Sequence, residues 1–119
     1  MRETRRGNAV PVRLVDMYTN RVYNHSMIRS FADKETEKIY KQVYSKRLPV
    51  QIQKTALRKL ILLDNAKLLS DLRIPPANHL ELLRGDRSGQ YSIRINDQFR
   101  ICFRFEDGDA FDVGIVDYH

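Results

Sequence analysis

The chain has 119 residues, with 21 Lys and Arg against 15 Asp and Glu, a formal charge of +6 and 42% hydrophobic residues. That is the size of one domain with enough apolar content for a core, and no stretch reaches the ~18 consecutive apolar residues of a membrane span. Its single cysteine, Cys102, excludes an intramolecular disulfide and a cysteine-rich zinc site. With no apolar run near Met1 to act as a secretion signal, the expected location is the cytoplasm, and the positive charge favours a polyanionic partner such as nucleic acid.

The first 26 residues carry five arginines against Glu3 and Asp16, a net of +3, and only one short apolar cluster, VPVRLV. We read residues 1–26 as a basic N-terminal extension, a leader or the product of an upstream start, ahead of one domain at 27–119. A basic arm gripping phosphate is the functional alternative. Ile28 to Phe31 could form a first strand. From Asp33 the run DKETEKIYKQVYSKR starts with a capping residue and an acidic first turn and ends on Lys46-Arg47, which predicts a helix over 33–47. After Pro49 a second helix follows, with Val50, Leu57, Leu60, Ile61 and Leu68 as its apolar stripe, ending before Pro75-Pro76.

Beyond Pro76 the hydrophobic period changes from 3.6 to 2. NHLELL sets Leu80 and Leu82 against His79 and Glu81, YSIRI sets Tyr91, Ile93 and Ile95 against Ser92 and Arg94, and FRICFRF sets Phe99, Ile101, Phe103 and Phe105 against Arg100, Cys102 and Arg104. These read as three strands with one wet face. Asp107-Gly108 marks a hairpin turn, and AFDVGIV is a last strand that leads into Asp117-Tyr118-His119. The expected fold class is α+β, with two N-terminal helices packed on a curved, mainly antiparallel sheet of four to five strands.

No Gly-rich phosphate loop, His-Glu-x-x-His, Gly-x-Ser-x-Gly or metal-like cluster among His25, His79 and His119 occurs, so no cofactor or metal is expected. What remains is a polar sheet face with Arg94, Arg100 and Arg104, the connection RGDRSG with Arg84 and Arg87, and a terminal Asp-Tyr-His. This set suits cleavage of RNA by its own 2′-hydroxyl, which needs a base, an acid for the departing 5′-oxygen, and cations for the charge on phosphorus. His119 is the natural proton donor. Arg84 and Arg100 are the best phosphate clamps, with Arg87 and Arg94 in support, although each alone also reads as a solvated charge. Glu81 and His79 form a candidate base and orienting partner. Tyr118 could stack on a base or, with cationic neighbours, act as the base itself, and Asp117 orients its neighbours. Cys102 reads as inert packing.

The opening MIRSF, the stretch LLRGDRSGQYSIRINDQFRICF and the closing DGDAFDVGIVDYH together resemble the HigB toxins of the RelE/ParE toxin-antitoxin superfamily, over residues 27–119. The resemblance implies a RelE-like fold and a ribosome-dependent, metal-independent messenger-RNA endonuclease that inhibits translation. It also implies a HigA-like antitoxin with a helix-turn-helix domain, operator DNA bound only through that complex, and no membrane partner. Carried over by position, Arg84 and Arg100 match basic phosphate-binding residues, and Asp117, Tyr118 and His119 match the C-terminal catalytic group. Glu81 stands where better-known members have a histidine, with His79 two positions earlier, and Arg84 stands for a lysine. Either Glu81 takes over proton transfer, or His79 approaches from the same strand face, or activity is weak. Two rivals are a ParE-like gyrase inhibitor acting by protein binding and a non-catalytic RNA- or ribosome-binding module.

Overall fold

The computed structural model describes residues 27–118; the extension at 1–26 and His119 lie outside the described residues. The elements run β1 (Met27–Ile28), α1 (Lys34–Tyr40), α2 (Val50–Asn65), 3-10 turns at Leu69–Arg73, Pro76–Asn78 and Gly85–Arg87, β2 (Glu81–Leu82), β3 (Tyr91–Arg94), β4 (Phe99–Glu106) and β5 (Asp109–Asp117). The fold is α+β, as the pattern implies. The strands form one sheet in the order β1-β5-β4-β3-β2, parallel only between β1 and β5. No described helix is long and apolar enough to cross a membrane.

The Asp33 carboxylate caps α1 by accepting from the Thr36 amide at 2.7 Å. The helix stops at Tyr40, short of the expected Arg47, because Gln42 turns left-handed with φ 64°. Its amide donates to Ile39 O at 2.9 Å and the Val43 amide to Lys38 O at 2.8 Å, the paired bonds of a Schellman stop. The connection that follows is tied to both helices. Buried Ser45 donates to Glu35 at 2.6 Å, and Gln53 Nε2 donates to Ser45 O at 2.8 Å and Leu48 O at 2.9 Å.

Helix α2 buries Ile52, Ala56, Leu60 and Leu63, a stripe at spacings of four, four and three, while Val50, Ile61 and Leu68 of the expected stripe are exposed. The core joins these residues to Ile39, Leu72, Ile93, Ile101, Phe103 and Val113. Burial of a Leu or Phe side chain stabilises the domain by about 1.5–3 kcal/mol, so this seam of helix and sheet holds the layers together. Gly114 permits close contact, since a Cβ there would lie 3.0 Å from Ala32 Cβ and 3.2 Å from Asp33 Oδ2, at the start of α1.

The β4–β5 hairpin turns at Asp107 and Gly108 with φ 52° and 85°, both positive as a type I′ turn requires. Antiparallel register sets Ile93 opposite Ile101 and Ile101 opposite Ile115, which form the core side. Ser92 opposite Cys102, Arg94 opposite Arg100 and Arg100 opposite Val116 form the other side. Strand β2 is shorter than expected and both its residues are exposed, because His79 takes φ 43° and interrupts the alternation that NHLELL suggests.

Candidate active site

The sheet side that the sequence pattern marks as wet is covered where it matters. Arg100 is 9% exposed and Cys102 1% exposed, although both alternate with core residues. Two segments supply the cover. The Pro76–Asn78 turn is pinned by buried Asn78, whose Nδ2 donates to Leu72 O at 3.1 Å and Ile74 O at 3.2 Å, while its Oδ1 accepts from Lys59 Nζ. This pin presents the His79 carbonyl to Arg100. From the other direction β5 runs on into Tyr118, whose amide donates to Gln98 O at 2.7 Å and whose ring centroid lies 5.9 Å from the Arg100 guanidinium carbon.

Arg100 is therefore oriented rather than free. Its Nε donates to Ser92 Oγ at 2.7 Å, and its Nη2 donates to the His79 carbonyl and to Ser92 O at 3.4 Å. Glu81 Oε1 approaches Nη2 at 3.8 Å from β2, with the Glu81 side chain 56% exposed. A buried guanidinium is costly unless hydrogen-bonded, and these contacts meet that cost while the facing carboxylate stays in solvent.

Tyr118 is half exposed and its hydroxyl lies 3.8 Å from Cys102 Sγ. Burial pushes the Tyr118 phenol above its ordinary value and Cys102 adds to the rise, against smaller downward effects of Ser92 and Arg100. Burial likewise pushes the Cys102 thiol up, opposed by Tyr118, Arg87 and Arg100. Cys102 is therefore a neutral packing group beneath the tyrosine, consistent with the inert reading.

The remaining candidates divide by position. Arg87 is exposed, donates to Gln90 Oε1 at 3.3 Å, and lies near enough for its charge to act on Cys102. Arg84 is exposed at the start of the Gly85–Arg87 turn, and its side chain makes no hydrogen bond or ion pair among the described residues. Arg94 faces Arg100 in register but is paired with Asp97. His79 enters through its main-chain carbonyl, with its own residue exposed. Asp117 sits opposite Phe99, on the other side of the sheet from Arg100, and accepts from Gln98 Nε2 at 3.0 Å. His119 lies outside the described residues. Among the described residues no group of three or more His, Cys, Asp or Glu could hold a metal ion. Ser92, Asn78 and Gln98 were not singled out by the sequence pattern. Ser92 falls with Arg94 on the polar side of the alternation in YSIRI, so its burial left no local signal.

Residues 29–119 match the family of RelE-like toxins of the type II toxin-antitoxin system HigB. Toxin HigB-1 of Vibrio cholerae is 45% identical over 85 residues, which is 71% of this chain and 90% of that protein. Endoribonuclease HigB of Proteus vulgaris is 31% identical over 93 residues, 78% of this chain and 100% of that protein. The heterotetrameric YoeB-YefM toxin-antitoxin complex from Staphylococcus aureus aligns with a TM-score of 0.46 at 20% identity, over 79% of this chain and 99% of that chain.

Proposed function

The chain belongs to the HigB-like family of RelE-like type II toxins, and on that premise we propose that it is an endoribonuclease that cuts messenger RNA on the ribosome and so inhibits translation. The observation that carries this reading is Arg100. It is a buried guanidinium held by Ser92 and the His79 carbonyl, flanked by the Tyr118 ring and by an exposed carboxylate, Glu81. A fixed cation between an aromatic platform and a solvent-facing base is the equipment for placing one RNA phosphate and stabilising the charge it gains.

In the proposed reaction Glu81 removes the 2′-hydroxyl proton and the 2′-oxygen attacks phosphorus. The bond to the 5′-oxygen breaks, and that oxygen takes its proton from His119. The products are a 2′,3′-cyclic phosphate and a 5′-hydroxyl. Arg100, with Arg84 and Arg87 from the exposed connection, stabilises the phosphorane, while Arg94 adds to the field around it. Glu81 is favoured over Tyr118 as base because burial raises the phenol further from neutrality, leaving Tyr118 to stack on a base or donate a hydrogen bond. Asp117 acts through Gln98 on the turn that receives the Tyr118 amide. No step requires a metal or cofactor. A helix-turn-helix antitoxin is the proposed neutralising partner, and operator DNA is reached only through that complex.

Mapping transcript 5′-ends after brief induction tests the reading. New ends within translated messages are expected from the wild-type chain and not from Glu81→Gln or His119→Ala. Growth arrest without new ends, or with stabilised cleaved DNA instead, would overturn it.

A further inference from the structure

Arg100 sits on the central strand of the site, yet its orientation is set from the neighbouring strand. Its Nε and Nη2, which form one edge of the guanidinium, are engaged by Ser92 Oγ at 2.7 Å, Ser92 O at 3.4 Å and the His79 carbonyl. Nη1 makes no hydrogen bond among the described residues. Of the side chains nearby, Arg94 is directly opposite Arg100 but turned to Asp97, and Glu81 stands at 3.8 Å, beyond hydrogen-bond reach. Ser92 Oγ is therefore the one side-chain acceptor within hydrogen-bond distance of Arg100 among the described residues.

We propose that Ser92 is a positioning residue for RNA cleavage, its hydroxyl fixing the rotation of the Arg100 guanidinium so that one edge is committed to the protein and Nη1 is left for an RNA phosphate. The inference rests on the nuclease reading above and extends it to a residue that touches no substrate. Serine is fully buried here, in a strand position that packing alone would fill with an apolar or β-branched residue. A buried hydroxyl persists where it is satisfied by a partner, and this partner is the one buried arginine of the described sheet. Serine keeps a hydroxyl proton after accepting from Arg100, and Ser92 pulls the Tyr118 phenol down against the larger upward effect of burial.

The test uses the full chain and two readouts. NMR of the Arg100 side-chain Nε–H reports its hydrogen bond directly, and steady-state cleavage of RNA in a translating extract separates kcat from KM. For Ser92→Ala, solvent exchange of that proton is expected to quicken and kcat to fall by about tenfold or more, with KM within about twofold, because the lost contact steadies the transition state rather than the bound substrate. Ser92→Thr, which restores the hydroxyl, is expected to recover both. If Ser92→Ala does not fold, Ser92→Cys, with its weaker acceptor, takes its place in the same comparison. Slow exchange and wild-type kcat in a folded Ser92→Ala would overturn the proposal, as would a loss that Ser92→Thr leaves unrepaired. Quickened exchange in Ser92→Ala, restored in Ser92→Thr, in a protein whose wild type cuts no RNA would uphold the positioning and reject the nuclease reading.

Discussion

The Tyr118 ring lies 5.9 Å from the guanidinium carbon of Arg100, and the two meet at the open end of the β4–β5 hairpin. The arginine is the second residue of β4, and the tyrosine is the residue just past β5. The pairing depends on the register that sets Phe99 opposite Asp117 and Arg100 opposite Val116. A one-residue slip would send Tyr118 to the core side.

Arg100→Lys tests whether the planar fork matters or only the charge. Lysine cannot satisfy Ser92 Oγ, Ser92 O and the His79 carbonyl from one rigid group. RNA cleavage is expected to fall by roughly 10²-fold or more, the scale of losing one preorganised charge-stabilising group. Cleavage rates of the purified, folded variant check it, and near wild-type rates would show that a point charge suffices.

Tyr118 separates stacking from proton transfer. If the ring is a platform, Tyr118→Phe retains activity within about tenfold and Tyr118→Ala loses more, whereas a phenol acting as base would make both fall together by about 10²- to 10⁴-fold. Side-by-side rates of the two variants decide this.

A second contact makes a pH prediction. Tyr40 donates to Asp64 Oδ2 at 2.7 Å, while Asp64 Oδ1 accepts from the Ile28 amide at 2.9 Å, so this carboxylate fastens both α1 and β1 to α2. Burial, reinforced by Asp64, pushes the Tyr40 phenol up to about 12. The folded state thus holds that proton more tightly than the unfolded chain, whose tyrosine titrates near ~10. Its contribution is fully present below pH ~10 and is lost as pH rises towards the folded value. Thermal unfolding of the wild type should therefore decline more steeply between pH ~9 and ~11.5 than that of Tyr40→Phe, which lacks the contact at every pH.

At the end of α1, Gln42 holds φ 64° without the freedom of glycine. Gln42→Gly should stabilise the domain by roughly 0.5–1 kcal/mol, less the entropy glycine adds to the unfolded chain. Denaturant unfolding midpoints measure this, and a destabilised variant would show that the Gln42 side chain contributes contacts that outweigh the strain.

Gln42 also explains what the amino-acid sequence concealed. The Asp33 cap, the Asp107-Gly108 turn and the alternation in YSIRI and FRICFRF are local signals, and the structure follows them. The helix stop at Gln42 carries no glycine or proline, so nothing local marks it. Of the apolar stripe expected for α2, Leu57 and Leu60 meet the core, whereas Val50 and Ile61 face solvent and Leu68 lies beyond the helix end at Asn65, because apolar residues on two overlapping stripes look alike in sequence. At the site, Arg100 and Glu81 were visible as a charge on an alternating strand and a carboxylate near it. That Arg100 would be buried was not, because its cover comes from Tyr118 and from a turn pinned by Asn78, and both depend on contacts distant in the chain. The same remoteness hid His79, whose left-handed backbone turns its carbonyl to the arginine and removes it from the strand it was expected to share with Glu81.

The most direct measurement is the chemistry of RNA ends made by the purified full chain on translating ribosomes, with folded Arg100→Ala as the control. Ends bearing a 2′,3′-cyclic phosphate and a 5′-hydroxyl are expected from the wild type and none from the variant. Ends bearing a 5′-phosphate, or equal cutting by Arg100→Ala, would contradict it.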